Sequence, residues 1–386
     1  MDHLSDYVQW MEDFPISSTG FRDEDALILC ALSYVDLSPL FSSASDRPYV
    51  RDCLKMIESG QLRVMITGSN KGFAELLGYA ARSKRYGNLR ISDYVDAVRK
   101  DPPMQFSAMC FQDEKDFSFI AFRGTDSSLA AWKEDFMISF TRTEAQEMAL
   151  QYAEKHIEAG RRWYIGGHSK GGNLALYASC QLSEQKWACV ERLYLLDCPG
   201  ICPEVLDLSL QDRVDAKSIR IVPSFCVIGK LFEPKITDTR IVQSFVKGFP
   251  QHPLITWGID HGKLALAKQH DPESMILSEA INDWISDISQ SDRVVLTNEL
   301  FDALSAGGAE TIEHIQEGGL EGLEAILRQI SEFSTTTRNM LSDLPKYTWK
   351  ARTEAMRNWL APEKESKQGL DLWAVFQGKN ESEEKP

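Results

Sequence analysis

The residues Gly167-His168-Ser169-Lys170-Gly171 set a serine between two glycines, each two positions away. That spacing suits nucleophilic chemistry. A serine hydroxyl attacks a carbonyl only when it stands clear of the chain on a sharp turn. It also needs a nearby backbone N–H to hold the charge that develops on the carbonyl oxygen. Small residues before and after let a strand and a helix approach closely around such a turn, and the N–H in question belongs to Lys170. The plainer reading is a glycine-rich loop in which Ser169 caps a helix. The flanking residues decide between them. Arg161 to Gly167 reads as a short strand running into the turn, and Gly171 to Ala178 as a helix leaving it.

A second segment points the same way. Ala121-Phe122-Arg123-Gly124-Thr125-Asp126 stands at the end of a strand-like run upstream of the serine. An acyl-transfer site of this kind takes a second oxyanion donor from a loop after an earlier strand. The Thr125 N–H, together with its hydroxyl, is the candidate, and Gly124 permits the turn. Without the serine segment, a hairpin turn carrying a solvent-exposed Arg123 would be the simpler account.

The elements that must position these groups follow from the pattern of the chain. Residues 1–100 read as mainly helical, with Asp23-Glu24-Asp25 in front of an apolar run and further helices at 50–60 and 70–83. After Asp101-Pro102-Pro103, the apolar runs Phe106–Phe111 and Phe117–Phe122 flank a polar turn, which predicts an antiparallel hairpin. A helix is expected over Thr143–Ala159, and strands at Val190–Leu196, Ser218–Val222 and Thr239–Phe245. Strands alternating with helices predict a mostly parallel sheet covered on both faces. From about Ser291 the pattern is helical again, including apolar spacing over Leu320–Leu341, and Glu363–Pro386 reads as a loose polar tail. The expected organisation is a helical region at 1–100, an α/β core at 101–290 and a helical extension at 291–386, whose helices could form a lid or an oligomer surface.

Composition excludes some classes. The 386 residues carry a net charge of −15, with 43% hydrophobic and 26% charged residues. An acidic chain lacks the basic footprint of a nucleic-acid binder, and it is not drawn to anionic lipid. No run reads as a membrane-spanning helix or a secretory leader. Cys30, Cys53, Cys110, Cys180, Cys189, Cys198, Cys202 and Cys226 are scattered through apolar segments without zinc-like spacing, so buried reduced thiols and a cytoplasmic location are expected. No cofactor or metal is called for.

Phe122-Arg123-Gly124-Thr125, Trp132-Lys133-Glu134-Asp135 and Gly167-His168-Ser169-Lys170-Gly171-Gly172-Asn173 resemble class 3 lipases, and more closely the Mbeg-like bacterial family related to them. The likeness extends to Asp25-Ala26-Leu27-Ile28, Leu32-Ser33-Tyr34, Asp197-Cys198-Pro199-Gly200, Gln251-His252 and Trp257, roughly residues 20–260. The resemblance implies an α/β-hydrolase fold with a triad of serine, acid and histidine, and names no substrate. In that fold the three follow one another along the chain in that order, which removes His3, His156 and His168 as bases. Of the rest, His252 follows the last strand in a Gly/Pro-bounded loop and is the expected base. His261 comes next, while His270 and His314 read as solvent-facing. Class 3 lipases carry the acid after the second strand beyond the serine, but Ile221 to Cys226 offers no carboxylate there. Leu196-Asp197-Cys198-Pro199 is similar to the Leu-Asp-Pro context of pancreatic-type lipases, so Asp197 is the expected acid and Glu233 the alternative. The function expected is hydrolysis of a lipid-like carboxylic ester through an acyl-enzyme on Ser169. The alternatives are a catalytically silent hydrolase scaffold that binds a partner, and a thioesterase or acyl transferase.

Overall fold

The computed structural model describes residues 1–43, 45–65, 70–99, 104–125, 133–135, 137–306 and 328–360. Helices α1 (Leu4–Trp10), α2 (Asp23–Leu32) and α3 (Asn70–Arg82) precede the sheet. Asp23, Glu24 and Asp25 occupy the first turn of α2, where carboxylates complement the exposed N–H groups and the helix dipole. Asp25 also accepts from the Arg22 N–H at 2.8 Å, which caps that end. Glu24 to Leu32 are all buried, so α2 runs through the interior with no solvent face.

The sheet consists of β1 (Arg90–Arg99), β2 (Met104–Gln112), β3 (Phe117–Phe122), β4 (Arg162–His168), β5 (Val190–Leu196), β6 (Ser218–Pro223) and β7 (Thr239–Val242), and their order in space is their order in the chain. β1, β2 and β3 form an antiparallel meander. From β3 to β7 every neighbouring pair is parallel. The sheet is thus mostly parallel and part of an α/β fold, as the sequence pattern predicts.

Sequential order has a consequence for the layers. Right-handed crossovers between successive neighbours place every connecting helix on the same face. Accordingly α4 (Glu144–His156), α5 (Lys170–Gln181) and α6 (Leu208–Asp215) pack into one core with Phe122, Ile165, Leu193 and Leu195. The opposite face would be bare if left to the crossovers. It is covered by α1, α2 and α3, which bury Phe119, Ala121, Tyr194, Leu196, Ile221 and Val242. The two-residue alternation along β3 and β5 divides their side chains between these cores.

Two stretches differ from the sequence expectation. β1 lies in the segment read as helical. Its pairing with β2 shifts register between Ser92 and Val95, and Asp93 has φ 55°, so a bulge interrupts the alternation by which a strand is recognised. The helical extension begins at α7 (Pro272–Ser286) rather than near Ser291. Asp271 accepts from the N–H groups of Glu273 and Ser274, and Pro272 opens the helix, a start signal that the sequence did contain. α8 (Gln290–Ser305) and α9 (Thr335–Leu360) follow, and the Trp284 indole donates to the Met340 carbonyl at 2.9 Å, joining α9 to α7. The spacing read over Leu320–Leu341 lies partly, and the tail Glu363–Pro386 wholly, outside the described residues. Among the described residues no helix is long and apolar enough to cross a membrane.

Candidate active site

β4 ends at His168 and α5 begins at Lys170, so Ser169 takes the whole change of direction. Its backbone sits at φ 58° and ψ −128°, a conformation that costs a non-glycine residue of order 1–3 kcal/mol and persists only where the surroundings impose it. They do so through the neighbouring glycines. A Cβ on Gly167 would overlap the Gly171 carbonyl, and one on Gly171 would overlap the carbonyl of Phe122. The Ser169 N–H donates to the Leu196 carbonyl at 2.9 Å, and its own carbonyl accepts from Gly172 at 3.0 Å. Among the described residues its Oγ has no hydrogen-bond partner, and the residue is 9% exposed. Lys170 opens α5, where a helix has no internal acceptor for its N–H.

The loop after β3 runs alongside this turn. Arg123 is fully buried rather than solvent-facing, and its guanidinium makes a two-point pair with Asp96 of β1 at 2.7 and 3.1 Å. Gly124 passes so close to the Tyr34 hydroxyl and the His168 carbonyl that a Cβ has no room. The Thr125 hydroxyl donates to the Asp135 carboxylate, so of the two donors expected from Thr125 only the N–H remains for an oxyanion. Asp126 and Trp132 lie outside the described residues.

On the other side of Ser169, Asp197 follows β5 and His252 follows β7, with the His252 Nδ1–H donating to Asp197 Oδ2 at 2.6 Å. Asp197 is almost fully buried, has φ 41°, and is fixed by its N–H bond to the Ile221 carbonyl. Its second oxygen accepts from the Cys226 thiol and the Gly229 N–H, both at 3.1 Å. Burial alone would raise the Asp197 pKa. The hydrogen bond and charge of His252, with the Cys226 thiol, hold it below the usual carboxylate value. Cys226 is one of eight unpaired cysteines, of which all but Cys189 are buried. Glu233, the alternative acid, is turned elsewhere and pairs with Arg220 at 2.9 Å and Lys230 at 2.8 Å.

His168, set aside as a base, stands beside His252 with ring centroids 4.6 Å apart. Its Nε2 lies 2.9 Å from the His252 carbonyl, which can only accept, so Nε2 carries the proton. Nδ1 therefore accepts from the Tyr34 hydroxyl at 2.8 Å. Burial, reinforced by the neighbouring His252, lowers the His168 pKa to about 3, so the ring is neutral and this tautomer is held. The loop carrying His252 is fixed elsewhere too. Gln251 accepts from Ser224 Oγ and the Phe225 N–H, and its carbonyl from the Trp257 indole. The remaining histidines lie apart. His261 is fully exposed beside Asp260, while His3 stacks on Phe245 and His156 faces Asp93. His270 is half-buried against the Ser224 carbonyl instead of solvent-facing, and His314 is outside the described residues.

The structure thus brings Asp197, His252, His168, Ser169 and Thr125 to one end of the parallel strands, where open α/β sheets bind their ligands. Reasoning from the sequence missed His168, Tyr34, Cys226 and Gly229 as supports. Tyr34 and His168 both stand in segments that carry the resemblance, which was the available signal. Among the described residues no group of histidines, cysteines and carboxylates could hold a metal ion. A family model described as Mbeg1-like matches residues 80–302. The solved structure of M37 lipase is similar at 15% identity over 54% of this chain and 70% of its own, with a TM-score of 0.33. No curated protein matches the chain.

Proposed function

The chain belongs to the Mbeg1-like family, and from that premise we propose that it is a serine hydrolase cleaving a carboxylic ester through an acyl-enzyme on Ser169. The observation that carries this reading is the 2.6 Å contact of His252 with Asp197 beside a serine forced to φ 58°. Nδ1–H donated to Asp197 sets the tautomer of the neutral ring in which Nε2 is the basic nitrogen, and Nε2 takes the proton of Ser169 Oγ. The alkoxide attacks the ester carbonyl, and the N–H groups of Lys170 and Thr125 receive the oxyanion. His252 returns its proton to the departing alcohol. Water then attacks the acyl-enzyme with His252 again as base, which releases the acid. Each oxyanion donor contributes about 3–4 kcal/mol of barrier reduction.

An apolar acyl group is favoured by the rim beside His252. Phe249 lies 6.4 Å from it between ring centroids and is 48% exposed, and Phe245 and Val246 precede it on the same loop. The test is labelling with a fluorophosphonate probe and turnover of p-nitrophenyl esters of increasing chain length. Ser169 is expected to be labelled, Ser169→Ala to lose both labelling and turnover, and rates to rise from acetyl to longer chains. Folded protein that is not labelled at Ser169 would count for a silent scaffold instead.

A further inference from the structure

The residue after the serine needs only its N–H for the chemistry, yet here it is a lysine whose side chain has no exposed surface. Its ammonium lies 2.6 Å from Glu134 Oε2, 3.1 Å from Gln105 Oε1 and 3.9 Å from Asp135 Oδ1. Glu134 is almost as deeply buried, and the same oxygen accepts from the Gln105 N–H at 2.9 Å, which ties it to β2. A buried ion pair is a poor source of stability, because a pair of apolar residues fills the same space at no desolvation cost. What it adds is fixed geometry. Glu134 and Asp135 are consecutive, both approach Lys170, and Asp135 also reaches the loop after β3. Glu134 holds Lys170 at the start of α5, while Asp135 accepts from the Thr125 hydroxyl in the loop after β3. Those two residues carry the two oxyanion donors of the proposed reaction.

Resting on that reading, we propose that Lys170, Glu134 and Asp135 form a brace that sets the spacing between the two donors. The side chains of all three act by positioning. The side chain of Lys170 thereby serves the oxyanion site at one remove from its own N–H.

The test starts from wild-type protein shown to be labelled at Ser169 and to turn over a p-nitrophenyl ester. Breaking one half, as in Lys170→Met, leaves a buried charge and lowers the melting temperature sharply. The double variant Lys170→Met/Glu134→Leu removes both charges and recovers most of that loss. With the brace gone, kcat of the double variant is expected to stay at least tenfold below wild type with KM unchanged, since only the transition state is affected. Recovery of full kcat along with the melting temperature would overturn the brace. Should the double variant not fold, Thr125→Val and Thr125→Ser decide on the other half. Ser keeps the hydroxyl to Asp135 and should keep turnover, whereas Val should lose at least tenfold. A Val variant with wild-type kcat would overturn the proposal. Wild-type protein that neither labels nor turns over ester removes the hydrolase reading, and the brace with it.

Discussion

On one flank of Ser169 the carboxylate of Asp197 faces His252, and the groups in direct contact with the pair are uncharged: neutral His168 and the Cys226 thiol, with the nearest buried cation, Arg220, held one residue away on the Gly229 carbonyl. On the other flank Lys170 is matched at rest by Glu134, within 2.6 Å. The first arrangement leaves one buried negative charge waiting for a positive one, and a proton arriving on His252 completes it. The second is complete before any substrate binds. In the proposed reaction a cation touching His252 would oppose the imidazolium, and the direct contacts of the pair carry none. Where donors must only stay still, opposite charges can be closed against each other.

The largest effect on this contrast should come from Asp197→Asn, which deprives the imidazolium of its charge partner. Ester turnover is expected to fall by about 10⁴-fold in kcat, as for other triads. Glu233→Gln, placed among Arg220 and Lys230, should change kcat less than twofold. The reverse ranking would move the acid to Glu233 and undo the comparison.

His168→Phe comes next. It removes the bond to the His252 carbonyl and leaves the Tyr34 hydroxyl without its acceptor. A shift of the His252 loop by a fraction of an ångström should lower kcat about ten- to hundredfold. The same variant tests the neutrality of this flank. Folded His168 stays unprotonated down to about pH 3, whereas in the unfolded chain it takes up a proton near 6.5. Between these values the unfolded state binds more protons, so stability falls as the pH is lowered from 6.5 towards 3. Melting temperatures across that range should drop less steeply in His168→Phe than in wild type. Parallel slopes would show that His168 is not buried neutral.

The smallest effect is expected from Cys226→Ala, which removes one of two further donors to Asp197 while Gly229 remains. A loss of kcat below tenfold is expected, with Cys226→Ser nearer to wild type. A loss as large as that of Asp197→Asn would make the thiol, not the imidazole, the dominant partner of the carboxylate.

Much of this arrangement is legible in the sequence, for a physical reason. The turn at Ser169 demands glycines at 167 and 171, and a demand that strict leaves a pattern. His252 is singled out by the order that the fold imposes and by its Gly/Pro-bounded loop, and Asp197 by its Leu-Asp-Cys-Pro context. That same order hides His168. It selects the histidine proposed as the base and is silent on one that bonds the carbonyl of that histidine. Arg123 invites a surface reading because its partner, Asp96, lies on β1, the strand disguised by its bulge. Glu134 and Lys170 are separated by 36 residues, and no local pattern reveals that two charges so far apart are buried together.

The layer that covers the outer face of the sheet has a bearing on how the molecule is made. Asp23 meets Tyr194 across 171 residues of chain, and Glu24 meets Leu264 across 240. Residues of α2 therefore leave the ribosome long before the surfaces that they will bury exist, and contacts of such high sequence separation are the slow ones to close. During synthesis the apolar run Ala26–Leu32 has no partner sheet, which is the condition that exposes a nascent chain to misassembly and to chaperones. Tyr34, whose hydroxyl donates to His168 Nδ1, travels with that layer. Assembly of the candidate site therefore requires the closing of contacts between segments about 134 residues apart, Tyr34 to His168.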